Sequence, residues 1–254
     1  MPEQYLYLFV NLFAISYPLA QSFEWRLKLY QNWKALFPAI AGMALFFISW
    51  DMLFTSWGVW GFNPRYLSGI ELGNLPLGEW LFFLTVPYAC VFIYEVLNYF
   101  VPKDIFGSVA RPIGLGLAVV LLVIGLLTTD QLYTSVTFIL TSALLFFVVL
   151  IVKPKWLGRF FLAYLVVQIP FTLVNGVLTG SWIPEQIVWY NDAENFGFRL
   201  GTIPVEDTVY NMLMLLLTIT IYEKLLKRNW GNWEQKVAQR KEDKALSKGK
   251  PVTA

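Results

Sequence analysis

The apolar positions of the chain fall into seven stretches, at residues 5–20, 35–57, 80–100, 112–128, 133–152, 160–178 and 208–226. A membrane-spanning helix needs about 20 predominantly apolar residues. The pattern therefore predicts an all-α polytopic membrane protein with seven transmembrane helices. The charged positions between the stretches are sorted by side. Arg26, Lys28 and Lys34 lie between the first and second, Lys103 and Arg111 between the third and fourth, and Lys153, Lys155 and Arg159 between the fifth and sixth. Nine more Lys and Arg follow from Lys224 onward, and only Arg65 and Arg199 fall on the opposite side. Basic loops are retained in the cytoplasm, which places the N-terminus outside and the C-terminus inside. The first stretch lacks a preceding basic segment and a small-residue cleavage site, so it is expected to stay as a span.

Polar and turn-forming residues recur at a spacing of 128. Asn63 matches Asn191, Gly69 matches Gly197, Leu72 matches Leu200, and Gly73 matches Gly201. Pro76 matches Pro204, Tyr94 matches Tyr222, and Glu95 matches Glu223; Glu79 faces Asp207, and Phe62 faces Tyr190. Identities at one offset, concentrated in Gly, Pro, Asn and acids, imply a duplicated unit. Residues 1–105 form the first three-helix repeat, 106–130 a linker transmembrane helix, and 131–226 the second repeat. Three crossings are odd in number, so directly joined copies would be inverted. The fourth crossing makes the repeats parallel, related by a pseudo-twofold axis along the membrane normal. Residues 227–254 form a basic cytoplasmic tail, helical near the membrane and disordered at its end, which anchors the topology or touches anionic lipid.

Composition agrees and narrows the chemistry. Of 254 residues, 57% are hydrophobic and 14% charged, against about 25% charged in soluble domains. The net charge of +2 comes from dispersed residues and gives no footprint for nucleic acid. There is no histidine, and Cys90 is the only cysteine. Disulfides and cysteine-based metal sites are excluded, and acid–base chemistry falls to carboxylates, Tyr or Lys. No Walker sequence is present, and Gly114-Leu115-Gly116 lacks the flanking strand of a dinucleotide fingerprint. No cofactor and no metal are expected. The seventh stretch has no interior lysine for a retinal Schiff base.

Pro76 and Pro204 suit the first turn of a helix, and carboxylates just after them favour the positive end of its dipole. That alone would account for Glu79, Glu206 and Asp207. Other polar residues gather at the same level, however. Asp51 lies in the outer third of the second stretch, Asn63 and Asn191 in outer loops, and Asn175 near the outer end of the sixth. An ionisable group at such depth is a functional candidate; for Asp51 the competing role is a structural partner of an Arg or a Trp N–H. Glu95 and Glu223 lie sixteen residues beyond Glu79 and Asp207, about 24 Å of helix, and are expected to pair helices or anchor the interface at the other end.

Fourteen aromatic residues surround the acids: Trp50, Phe54, Trp57, Trp60, Phe62, Trp80, Phe82, Phe83, Trp182, Trp189, Tyr190, Phe196, Phe198 and Tyr210. An interfacial belt explains many of them, but fourteen on one side exceed what anchoring needs. A cavity of rings and acids suits a cationic intermediate, since each ring face stabilises a desolvated cation by about 2 kcal/mol. A buried carboxyl can also stay protonated and act as an acid.

These residues form a familiar set. Trp50-Asp51, Gly58-Val59-Trp60-Gly61-Phe62-Asn63-Pro64-Arg65-Tyr66, Leu75-Pro76, Glu79-Trp80-Leu81-Phe82-Phe83, Pro87-Tyr88-Ala89-Cys90 and Tyr94-Glu95 resemble the first half of the small membrane lycopene cyclases. Asn175-Gly176-Val177-Leu178-Thr179-Gly180, Trp189-Tyr190-Asn191, Gly197, the run 199–207 and Tyr222-Glu223 resemble the second half. In that family the halves occur as two subunits or as one fused chain, and this chain is similar to the fused form over about residues 1–226. The resemblance implies a lycopene cyclase of carotenoid biosynthesis, an isomerase that makes β-carotene without FAD. It implies a linear carotenoid drawn from membrane lipid as substrate, and other enzymes of carotenoid biosynthesis as partners. Glu206, Asp207, Glu79 and Asp51 are then the catalytic acids, with Glu206 or Asp207 as proton donor and Glu79 or Asp51 as base. Asn63, Asn191 and Arg199 would orient them, and Trp60, Phe62, Trp80, Trp189, Tyr190 and Tyr210 would surround the substrate. The family carries two acids after the proline in both halves. Here Gly78 precedes Glu79, so catalysis is expected to lean on the second half. The rival readings are a cyclase of fifty-carbon carotenoids and a proton-coupled transporter. Transporter sites lie near the midplane, whereas these acids lie near one face.

Overall fold

The computed structural model describes residues 2–246. Each of the seven apolar stretches is helical: α1 (Leu6–Gln21), α2 (Trp33–Ser56), α3 (Leu77–Phe100), α4 (Ala110–Leu127), α5 (Leu132–Phe146), α6 (Leu157–Leu178) and α7 (Glu206–Leu226). Six are long and apolar enough to cross a membrane; α1 has 16 residues. The observed ends agree with the apolar pattern to within one turn. Helices α3, α6 and α7 start earlier than the pattern does, because their first turns hold Glu79, Arg159, and Glu206 with Asp207. Helix α5 continues as a π-helical stretch, Phe147–Val152, and stops at Lys153 in the left-handed region. The start of the expected tail is helical as α8 (Trp233–Leu246). Residues 247–254, where disorder was expected, lie outside the described residues.

Helix α1 packs on α3, and α5 packs on α7; α2 packs on α7, and α6 packs on α3. Helix α4 lies chiefly against α5. Its buried stripe of Ala110, Gly114, Ala118 and Gly125 is small, which lets helix backbones approach closely.

Three short antiparallel pairs cover one end of the bundle. Strand β1 (Trp60–Phe62) pairs with β4 (Val188–Tyr190) in the register Trp60↔Tyr190, Gly61↔Trp189, Phe62↔Val188. Strands β2 (Glu71–Leu72) and β3 (Leu75–Pro76) form one hairpin; β5 (Arg199–Leu200) and β6 (Ile203–Pro204) form another. Each turns on a glycine, Gly73 at φ +68° and Gly201 at φ +67°, as a two-residue hairpin with glycine first requires. The hairpins run directly into α3 and α7. They fix where those helices begin, and hence where the acids of the first turn stand.

At the opposite end, Tyr94 donates to Glu223 at 3.0 Å and Tyr222 donates to Glu95 at 2.7 Å. Arg228 bonds Glu95 and lies 3.5 Å from Glu223. These residues pair α3 with α7, far from the strands.

Candidate active site

Glu79 is the third residue of α3, and Asp207 the second residue of α7. Asp51 comes from the last turns of α2, and Asn175 from the last turn of α6. The four side chains converge on one cavity of about 50 Å³ beneath the β1–β4 pair. Its other walls are Tyr7, Trp60, Phe62, Phe82, Tyr133, Phe171, Leu178, Val188, Tyr190 and Tyr210. Three carboxyl groups and a wall of rings thus share one small space, which the sequence predicted for Asp51, Glu79, Asp207, Trp60, Phe62, Tyr190 and Tyr210.

Each acid is held differently. Tyr7 of α1 donates to Glu79, and Tyr133 of α5 donates to Asp207. Asp207 also accepts from Asn175 Nδ2 at 2.6 Å and from the Tyr190 hydroxyl at 3.0 Å. Burial, followed by the Asp207 carboxyl, raises the Tyr190 phenol well above its ordinary pKa, so it stands as a proton-bearing donor. Asp51 accepts from Trp60 Nε1, while its Oδ2 is buried and has no hydrogen-bond partner among the described residues. The Trp N–H expected as a structural partner of Asp51 is therefore present, and it occupies only one of the two oxygens.

Glu206 is fully buried but does not line the cavity. Its Oε1 accepts from Thr134 at 2.7 Å and from the Phe196 N–H at 2.8 Å, so it ties α5 and the incoming loop to the start of α7. The corresponding position in the first half is Gly78. Its missing Cβ makes room for the ring of Tyr7, which would lie 2.5 Å from any added Cβ.

Asn63, Asn191 and Arg199 do not orient the acids. Asn63 accepts from the Arg65 N–H at 3.1 Å and donates to Glu185 at 2.9 Å; Asn191 accepts from the Ala193 N–H at 3.1 Å. Both cap short turns, a common task for asparagine in loops. Arg199 bonds Asp192 at 2.6 Å and the Thr202 carbonyl at 2.9 Å, and reaches the site only by lying over the Tyr190 ring. Trp80 donates to the Leu72 carbonyl at 3.1 Å, and the exposed Trp189 covers Gly61; neither lines the cavity.

Tyr7, Tyr133, Phe82 and Phe171 were not among the expected site residues, and Asn175 was noted only as polar. The tyrosines carry a signal: each precedes its acid by a similar interval, 72 residues for Tyr7 and 74 for Tyr133. That interval differs by two between the halves, so a gapless alignment at 128 passes over the pair. Asp51 and Asn175 likewise match only once a further loop difference is allowed.

Comparison with known proteins fits this doubled arrangement. No curated protein and no solved structure matches the chain. A family model described as lycopene cyclase matches it twice over, at residues 4–97 and 130–225. The first match contains Tyr7, Asp51 and Glu79, and the second contains Tyr133, Asn175 and Asp207, so both contributors to the cavity fall within the family pattern while α4 falls outside it. The chain belongs to the lycopene cyclase family, in a form that carries both repeats in one polypeptide.

Proposed function

We propose that the chain is a lycopene β-cyclase, which closes a six-membered ring at an end of lycopene by proton addition and proton loss, with no redox change and no bound cofactor. The observation that carries this reading is the shared cavity of Asp51, Glu79 and Asp207 walled by aromatic rings.

Hydrogen bonding supports a division of roles. Asp207 accepts from three donors, the arrangement that satisfies a carboxylate. Asp51 accepts at Oδ1 from Trp60 and, at 3.5 Å, from Thr55, while its Oδ2 has no partner among the described residues, the arrangement that suits a protonated acid with its O–H turned to substrate. Asp51 then delivers its proton to the terminal isoprenoid double bond. The neighbouring double bond attacks the resulting tertiary cation and forms the ring C–C bond. Asp207 removes one proton from the ring cation, which restores a double bond and leaves an isomer of the substrate. Glu79, held by Tyr7, lines the same cavity as Asp51 and Asp207; it takes up the proton from Asp207 and returns it to Asp51. Trp60, Tyr210 and Phe82 face the cation and exclude water. This reading gives the donor role expected of Glu206 or Asp207 to Asp51, because Glu206 does not line the cavity and Asp207 is already held as an acceptor.

The same reading has seven spans, with α1 completing the first repeat, and parallel repeats with the N-terminus outside. The β1–β4 register supports the twofold relation. It pairs Gly61 with Trp189, its own counterpart 128 residues on, and the residues on either side exchange partners.

Incubation of unlabelled lycopene with membranes that contain the expressed chain, in buffer made with heavy water, tests the proposal. The proton added to the terminal double bond stays on the ring, so each ring formed should carry one deuterium from solvent. Asp51→Asn and Asp207→Asn should each lower cyclised pigment by about 10²–10⁴-fold, the usual worth of a general acid or base, with the amount of membrane protein unchanged. Unchanged lycopene with the wild-type chain would overturn the activity.

A further inference from the structure

An apolar groove of about 370 Å³ opens on the outside of the bundle between α1, α3 and α6. Phe13, Tyr17 and Leu173 at its rim are strongly exposed, so it faces whatever surrounds the helices. It meets the acid cavity at Phe171, whose ring lines both spaces. The one hydroxyl along its α1 wall besides that of Tyr17, Ser16 Oγ, bonds the Phe13 carbonyl at 2.8 Å, so the groove presents little to a polar ligand.

Side-chain size differs between this groove and its counterpart in the other half, where Ala143, Thr220 and Ser49 are smaller than Tyr17, Phe92 and Leu173 but other positions are larger. The repeats correspond at an offset of 126 for α1 and α5 (Tyr7 with Tyr133), 124 for α2 and α6 (Asp51 with Asn175), and 128 for α3 and α7. Groove residues Ala14, Val86, Ala89, Val167 and Val174 then correspond to Leu140, Met214, Leu217, Met43 and Trp50, all larger. Phe171 corresponds to Phe47, which is fully buried, with the rings of Tyr210, Trp50 and Phe83 at 4.9, 5.6 and 6.0 Å. The matching position beside the acids in the other half is therefore closely packed.

We propose that this groove is the entry and docking channel for the linear carotenoid, and that its leading end displaces Phe171 to reach Asp51, Glu79 and Asp207. The inference rests on the cyclase reading above. Lycopene is a long hydrocarbon with nothing to hydrogen-bond, and this groove is apolar and borders the acid cavity at Phe171. A phenyl ring that lines both spaces stands between the groove and the acids, so a chain end that passes from one to the other must move it. Phe171 stands at the junction and has no polar group to tether it.

The test carries the larger counterparts over to the groove. Ala14→Leu, Ala89→Leu and Val174→Trp each place the counterpart's bulk, or its own residue, in the groove. Leu45→Trp, at an exposed site on α2 (74% accessible), is the control. Each variant is expressed with lycopene, and cyclised pigment is measured per unit of folded protein extracted from the membrane. Each groove variant should lose about tenfold or more, the combination Ala89→Leu with Val174→Trp should lose all activity, and Leu45→Trp should match the wild type. A wild-type chain that leaves lycopene unchanged would overturn the cyclase reading. An active wild type with groove variants no worse than Leu45→Trp would overturn the channel alone, and would leave the groove to a lipid acyl chain.

Discussion

Gly78 shows how a single side chain sets the balance of the two half-sites. In the second half the corresponding acid, Glu206, fastens α5 and a loop to the start of α7. In the first half that task passes to Asn11, which donates to the Gly78 carbonyl at 2.9 Å and accepts from Thr85 at 2.7 Å, and the vacated volume holds the ring of Tyr7. Gly78→Ala should push Tyr7 off Glu79. Overpacking of this kind costs about 1–3 kcal/mol, so both thermal stability in detergent and ring closure should fall. Glu206→Ala should lower stability as well, by leaving the Thr134 hydroxyl and the Phe196 N–H unpaired at about 1–3 kcal/mol each. The same substitution at Asp207 should spare less activity than stability. The sequence pointed to the acids because carboxylates inside apolar runs are rare. It did not point to Tyr7 and Tyr133, because aromatic residues are common at helix ends and the two lie outside the 128-residue register.

At the level of helices, the apolar runs were enough to locate every long element, since length and hydropathy alone decide what can lie in a membrane. The loops were not legible in the same way. An asparagine that caps a turn and one that binds an acid look alike in sequence, and only the observed partners of Asn63 and Asn191 separate them. The Tyr-Glu pairs at the other end were legible as a repeat but not as an exchange, in which each tyrosine reaches the other repeat's glutamate. Arg228 completes that junction. Burial works against its charge, but the carboxylates of Glu95 and Glu223 outweigh this and hold its pKa above the ordinary guanidinium value. Arg228→Met should leave two carboxylates without their cation, and removal of one partner of a buried pair costs about 3–5 kcal/mol. Tyr222→Phe removes one bond to a carboxylate, worth about 1.5–3 kcal/mol. Thermal unfolding in detergent should rank wild type above Tyr222→Phe above Arg228→Met, and pigment formation per folded molecule should stay near wild type in Tyr222→Phe, because the junction lies far from the acids.

For the whole molecule, the doubled architecture raises the question of whether two half-sites act on two substrate ends at once. The geometry argues against it. Asp51 and Glu79 from one repeat and Asp207 from the other line the same cavity, so the repeats build one site between them rather than one site each. The ends of a stiff conjugated chain lie about a membrane thickness apart, on the order of 30 Å, and cannot both enter a cavity of about 50 Å³. Buried Met43, Phe47 and Trp50 occupy the matching position beside the acids in the other half. On the proposed mechanism each binding event would close one ring, and a two-ring product would require the chain to leave, turn and enter again. With lycopene in large excess over enzyme, the one-ring carotene should accumulate first, and the two-ring product should rise only after a lag. Unlabelled one-ring carotene added at the start should compete and dilute label from lycopene in the two-ring pool. A two-ring product that forms without a lag and takes no dilution would show that both ends are handled in one encounter, and would require a second route to the acids through the α2–α5–α7 side.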